Sequence, residues 1–320
     1  MSNLLPAFDI LRPMSLDDAL AALADPGARP LAGGTDLIVN LRRGIGAPAR
    51  LVDLSCVPGM GGITADSESL VIGAGVTLRE LAESPVPGPA GAALKQAAEA
   101  VAGPSHRNLA TVGGNLCLDT RCLYYNQSEW WRKSNGYCLK YRGDTCHVAP
   151  QGKRCRAAFS GDLAPAFLAL GAEAEIAGPG GLRRMPLAEM YHEDGAAHLT
   201  LAPSEILLRL HLPRPEGRSG YAKIRARGAM EFPLAGVAAL CRSVAEGIEV
   251  RVGLTGTNSC PVAMAPRVLP AGGDEGFYAA LEKDVKKTVS PQRTTPLAAH
   301  YRRLSVAAQA ARLVRSLADG

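Results

Sequence analysis

The stretch from Cys117 to Cys155 limits what this chain can fold into more than any other. Five of the eight cysteines fall there (117, 122, 138, 146 and 155), with both tryptophans and four of the eight tyrosines. From Cys117 to Arg156, eight basic residues stand against three acidic ones, a surplus equal to the net charge of +5 for the whole chain. Everything else is balanced, so the segment reads as an insertion with its own job. About forty residues bury too little apolar surface to fold alone, and such segments need disulfides or a metal. The host sequence reads as a cytosolic enzyme, where thiols stay reduced, and that favours metal. No Cys-x-x-Cys pair is present: fifteen residues lie between Cys122 and Cys138, and the next gaps hold seven and eight. Zinc knuckles and bacterial ferredoxins usually carry such pairs. Four soft thiolates on separate loops suit a cubane iron–sulfur cluster, whose negative charge the basic residues would offset. On the residues alone, zinc and unliganded thiols stay open.

At 320 residues the chain has room for two or three domains. Met1 to Pro13 shows no basic start followed by an apolar run, so no signal peptide is expected. No stretch approaches eighteen apolar residues, which excludes a membrane-spanning helix and points to the cytoplasm. Because the basic surplus is confined to the cysteine segment, it argues for local docking or charge compensation, not nucleic-acid binding.

The flanking sequence alternates short strands and helices. Phe8–Leu11 reads as a strand and Ser15-Leu-Asp-Asp as a capping box with Asp for Glu, opening a helix to Leu23. Strands follow at Pro30–Ala32, Leu51–Leu54 and Ser69–Ile72, and Thr77 caps a short helix. Ala92–Ala102 and Pro165–Leu170 read as helices, Ala172–Ile176 and Glu205–Leu212 as strands. Pro213–Gly220 is the clearest linker. Beyond it come strands at 221–227, 235–242 and 248–254, then helices near 276–285 and 297–317, a compact α+β unit.

Two strands run into a double glycine, at Gly33-Gly34-Thr35 and Gly113-Gly114-Asn115. Such turns let backbone amides approach a pyrophosphate without side-chain obstruction. Either alone is a tight turn; two matching loops suggest a dinucleotide gripped from both ends. Gly73-Ala74-Gly75 lacks the third glycine of a Rossmann fingerprint. Cys56, Cys241 and Cys260 read as small buried hydrophobes. No nucleophile–His–Asp set stands out, so no catalytic residue is assigned.

Ala32-Gly-Gly-Thr-Asp36, Arg107-Asn-Leu-Ala-Thr-Val-Gly-Gly-Asn115 and Ser160-Gly-Asp-Leu-Ala-Pro165 resemble the FAD-binding motifs of the flavoprotein (medium) subunits of the xanthine oxidase and carbon monoxide dehydrogenase family. Lys223–Arg227 and Tyr301-Arg302 resemble that family's C-terminal domain. The insertion before Ser160 is similar to that of the β subunits of 4-hydroxybenzoyl-CoA reductases, which holds a [4Fe-4S] cluster. The resemblance implies an α+β fold: PCMH-type FAD-binding subdomains over 1–60 and 61–215, a cysteine-rich module over 117–158, and a C-terminal α+β domain over 216–320. It places Ala32, Gly33, Gly34, Thr35, Asp36, Thr111, Gly113, Gly114 and Asn115 on the FAD pyrophosphate and ribityl chain. Asp162 falls by the ribityl or flavin region and Lys223 near the isoalloxazine, with Arg107 and Asn108 bracing the second loop. Cluster-free relatives often carry a cysteine at the position of Cys117, which leaves Cys122, Cys138, Cys146 and Cys155 as ligands. His147 is a possible substitute. Met190–Gly195 departs from the family pattern where relatives cover the flavin, which bears on flavin access and any NAD site.

The implied role is electron transfer within a molybdenum-dependent complex that removes the phenolic hydroxyl of 4-hydroxybenzoyl-CoA. Implied partners are a molybdopterin-binding large subunit, a small subunit with two [2Fe-2S] clusters, and a ferredoxin donor, in a dimer of heterotrimers. The basic segment, Arg132 and Lys133 included, would dock the ferredoxin. Two other readings are a self-sufficient flavin oxidoreductase resembling UDP-N-acetylenolpyruvoylglucosamine reductase, and a flavoprotein with a zinc-bound structural insertion.

Overall fold

The computed structural model describes residues 5–85, 89–214, 216–271 and 273–319. Pro215 of the expected linker lies outside them.

Strands β1 (Asp9–Leu11), β2 (Ala28–Leu31) and β3 (Arg50–Asp53) form a parallel sheet in the order β1-β3-β2. Parallel neighbours need crossover connections, which helices α1 (Leu16–Leu23) and α2 (Leu37–Arg42) help supply. Ser15 caps α1: its hydroxyl accepts the Asp18 amide at 3.1 Å and donates to the Asp18 carboxylate at 2.7 Å.

The second sheet is antiparallel, in the order β4-β5-β8-β6-β7. Its strands are β4 (Ile63–Ala65), β5 (Ser69–Gly73), β6 (Glu173–Gly178), β7 (Gly181–Pro186) and β8 (Ile206–Pro213). Between β5 and β6 the chain inserts α3 (Leu78–Glu83), α4 (Ala92–Glu99), α5 (Pro104–Arg107), α6 (Val112–Leu116), α7 (Glu129–Ser134) and α8 (Leu163–Ala169). Thr77 and Glu80 close a full capping box on α3. β7 was not foreseen. It is an exposed edge carrying Arg183 and Arg184 without apolar alternation, and such charges discourage pairing with another sheet.

The third sheet joins β9 (Arg218–Ile224), β10 (Ala235–Val244), β11 (Gly247–Thr255), β12 (Val262–Ala263) and β13 (Arg267–Pro270). Period two splits β10 between two cores. Val237, Ala239 and Cys241 face α9 (Glu275–Thr288) and α10 (Ala299–Asp319), while Ala238 and Leu240 face the core that holds α8. Every residue of α8 is buried, so that helix is apolar all round. Its N-terminus is thereby fixed where the second and third sheets meet. Among the described residues, no helix is long and apolar enough to cross a membrane. One cysteine differs from expectation: Cys241 is buried and Cys260 half-buried, but Cys56 is exposed in the turn after β3.

Candidate cofactor sites

β2 ends at Leu31 and α2 starts at Leu37, which leaves 32–36 as an open turn. Gly34 sits at φ +69°, a conformation that side-chain-bearing residues rarely adopt. A β-carbon on Gly33 would overlap the Leu109 carbonyl, so the two glycine loops lie against each other. Among the described residues, the amides of Gly33, Gly34, Thr35 and Asp36 have no protein acceptor. A run of unpaired backbone N–H groups is a nest for an anion, and the residues present fit a pyrophosphate. The Asp36 carboxylate turns away, accepting from Asn40 Nδ2 at 3.2 Å and pairing with Arg121.

In the second loop the amides are taken. Val112 donates to Val76 O at 2.9 Å, Gly113 to Ala74 O at 2.7 Å, and Gly114 to the Thr111 hydroxyl at 3.1 Å. A β-carbon on Gly113 would come within 2.8 Å of the Ala74 β-carbon. Asn115 Oδ1 accepts the Leu163 amide at 3.0 Å, capping α8 across the chain. Arg107 donates to Glu99 O and Val101 O, tying α5 to the end of α4.

Asp162 precedes α8, with its carboxylate 2.7 Å from the Tyr221 hydroxyl and 3.0 Å from Lys223 Nζ. Lys223 also donates to Ala100 O at 2.9 Å. Burial pushes the Asp162 carboxyl up to about 6, against the pull of Lys223 and Tyr221. These two expected cofactor residues come together, each occupied by the other in a buried pair.

The cysteine module leaves and rejoins the fold through the paired stems Arg121 and Ala158. Cys122, Cys138, Cys146 and Cys155 line one pocket with Tyr124, Tyr125, Lys140 and His147. Cys117 stands apart at the end of α6, against the main core, where burial raises its thiol to about 12. Burial likewise raises Cys122 to about 11 and Cys155 to about 12, so both are thiols unless a cation binds them. Among the described residues, no three His, Cys, Asp or Glu side chains converge as a single ion requires. Four thiolates on one zinc would stand about 3.8 Å apart, given bonds of roughly 2.3 Å. Four cysteine sulfurs lining one pocket are the donor chemistry that a soft metal or an iron–sulfur group takes.

The module is held from inside by its own cations. Arg132 is 1% exposed, donates to Gly44 O at 2.8 Å and Gln127 O at 3.2 Å, and pairs with Glu129. It was expected at the surface beside the tryptophans, but α7 turns it inward. Lys140 is buried between Asp119 and Thr120, 4.3 Å over the Tyr125 ring. Tyr137 and Arg142 adopt φ of +61° and +62°, strain that the surrounding contacts must hold in place. Outside, Lys133, Arg142 and Lys153 are exposed with Leu123 and Trp130. His147, half-buried, packs its ring 4.9 Å from that of Tyr124.

The 190–198 segment grips both stems. Tyr191 donates to Leu116 O, and the Thr120 hydroxyl to Gly195 O at 2.6 Å. The Gly195 amide donates to Cys155 O, and Asp194 accepts the Cys155 amide at 3.1 Å. Burial pulls His198 down to about 4, so at neutral pH its uncharged ring meets Leu118 O. No sequence motif marks this brace. Its departure from the family pattern was the one available signal.

The unpaired amides of 33–36 lie against Leu109, between α5 and α6, an arrangement suited to a phosphate-bearing ligand. Residues 6–215 match the family described as FAD binding domain in molybdopterin dehydrogenase. The chain is 33% identical over 236 residues to the putative xanthine dehydrogenase FAD-binding subunit XdhB of Escherichia coli (strain K12), covering 72% of this chain and 67% of that one. It is 34% identical over 254 residues to the aldehyde oxidoreductase FAD-binding subunit PaoB of the same organism, covering 76% and 79%. A chain of the reconstituted CO dehydrogenase from Oligotropha carboxidovorans superposes over 99% of both chains with a TM-score of 0.77 and 22% identity, which shows a shared fold. The chain belongs to the family of FAD-binding medium subunits of the xanthine oxidase and CO dehydrogenase molybdenum hydroxylases. It is thus an FAD-binding oxidoreductase subunit.

Proposed function

We propose that this chain carries a [4Fe-4S] cluster as well as FAD and relays electrons within a complex of the 4-hydroxybenzoyl-CoA reductase type. The reading rests on one observation: Cys122, Cys138, Cys146 and Cys155 line a common pocket from which Cys117 is excluded. Bound, the cluster would pass single electrons and the flavin one or two. The chain's own residues hold, neutralise and shield: the nest at 33–36 takes the pyrophosphate, while Lys140 and the stems enclose the thiolates. A large molybdopterin subunit and a small [2Fe-2S] subunit would complete the complex; the relatives' names describe each as one FAD-binding subunit of a larger enzyme. On the large subunit, 4-hydroxybenzoyl-CoA with two electrons and two protons gives benzoyl-CoA and water. The module exposes Lys133, Arg142 and Lys153 as well as Trp130 and Leu123, and these cations suit an acidic one-electron donor such as ferredoxin.

Iron and acid-labile sulfide analysis of anaerobically purified protein tests the cluster: about four of each per chain are expected. Serine at Cys122, Cys138, Cys146 or Cys155 should lower both, and serine at Cys117 should not. Zinc in place of iron would sink the reading. Stopped-flow reduction tests the donor. Its rate should fall as ionic strength passes about 0.1 M, where the screening length is roughly 10 Å. Lys133→Glu with Lys153→Glu should mimic high salt, while dithionite reduction stays nearly constant.

A further inference from the structure

Two links join the cysteine module to the first glycine loop, in a different sheet from the one it interrupts. Arg121, beside the pocket cysteine Cys122, pairs with Asp36, reaches toward Asn40 Oδ1 at 3.4 Å, and lies 4.4 Å over the Phe232 ring. Its side chain is 13% exposed, and its buried Nε has no hydrogen-bond partner. The second link is Arg132 Nη2 on Gly44 O, with Ile45 packed among Tyr125, Cys138, Cys122 and Tyr141. The start of α2 is thus held by the neighbour of Cys122, the chain just past its end by Arg132 and by the packing of Ile45 against Cys122 and Cys138, and α2 begins where the nest ends.

Charge gives the links a consequence. Asp36 is the last residue of a nest built for an anion, and its carboxylate would repel a pyrophosphate if left uncompensated. Arg121 compensates it from the stem of the module, beside Cys122. The module's own apolar cluster is small, so ligation must supply much of its order.

We propose that filling the cysteine pocket and retaining FAD are coupled, with Arg121 as the positioning residue that connects them. This rests on the reading that the pocket holds iron and sulfide. Emptying the pocket frees Arg121, leaves Asp36 bare and loosens α2, and FAD is held less tightly. Reciprocity follows from linkage: bound FAD slows loss of iron.

The experiment measures the FAD dissociation constant by flavin fluorescence on the full chain, before and after iron is removed with a chelator. Iron is assayed in every sample. In the unaltered protein, iron removal should raise the constant at least tenfold. Arg121→Gln should raise it by a similar factor with iron in place, and iron removal should then add little. Arg121→Lys should keep most of the affinity. Asp36→Asn, which removes the charge needing compensation, should bind FAD well with or without iron; it serves if Arg121→Gln fails to fold. An iron-loaded protein whose FAD affinity ignores iron removal overturns the coupling, as do effects of Arg121→Gln and iron removal that simply multiply. If the protein holds no iron, the cluster reading fails on its own. Arg121→Gln and Asp36→Asn then still judge the Arg121 link: an unchanged constant in Arg121→Gln overturns it, and a tenfold rise in that variant alone supports it.

Discussion

The two double-glycine loops share a dipeptide and little else. At Gly33-Gly34 the amides are unpaired and the chain is open; at Gly113-Gly114 each amide already has a protein acceptor. Among the described residues the first loop thus has amides free for a ligand, and the second is a joint between α6, the turn after β5, and α8. Glycine serves close approach in both, but in the second what approaches is protein. The contrast predicts that variants of the second loop will act mainly on stability and variants of the first mainly on FAD.

The sharpest break should come at Gly113. Valine there drives a branched side chain into Ala74, and overpacking of this kind costs about 1–3 kcal/mol. Chemical denaturation should show a lowered midpoint, and whatever protein remains folded should bind FAD nearly as tightly as before. A normal midpoint with lost FAD would make the second loop a ligand loop.

Gly33→Ala reverses the signature. Its β-carbon meets the Leu109 carbonyl, so the loops must separate, and the nest shifts with them. Equilibrium dialysis should give an FAD dissociation constant raised about tenfold, roughly 1.4 kcal/mol, with a smaller change in denaturation midpoint. Gly34→Ala should follow at lower amplitude, since φ +69° costs a non-glycine residue roughly 1–2 kcal/mol, shared between stability and binding.

What the sequence revealed, and what it hid, divides along the same physical line. Local chemistry was legible. Ser15 and Thr77 cap helices as their spacing demands, and the strands expected from Glu205 to Leu254 match β8 to β11 within a few residues. The first double glycine was legible as a turn; the second, expected after a strand, lies inside helix α6, and which amides stay unpaired depends on Ala74, Val76 and Thr111, brought there by the fold. The cysteine module drew attention through composition, yet composition suggested that its arginines face water. Arg132 is buried because Gly44, far away in sequence, offers a carbonyl at the right place. The brace at 190–198 sets Tyr191, Asp194 and His198 on backbone atoms far away in sequence, and no residue pattern announces those partners.

The finest test of the comparison is Gly114→Ala. Gly114 lies in α6 at ordinary helical φ, where alanine gains up to about 1 kcal/mol of helix propensity. Its β-carbon would meet only the Thr111 hydroxyl, at 3.0 Å, and that side chain must yield by a few tenths of an ångström to keep its cap on the Gly114 amide. The two effects nearly cancel, so the denaturation midpoint should stay within about 0.5 kcal/mol of the parent. Among the described residues nothing else lies within 4 Å of the new methyl. If FAD lies across both loops, its dissociation constant should therefore rise severalfold while stability holds. If neither quantity moves, the second loop carries the joint alone, and the nest at 33–36 accounts for the pyrophosphate by itself.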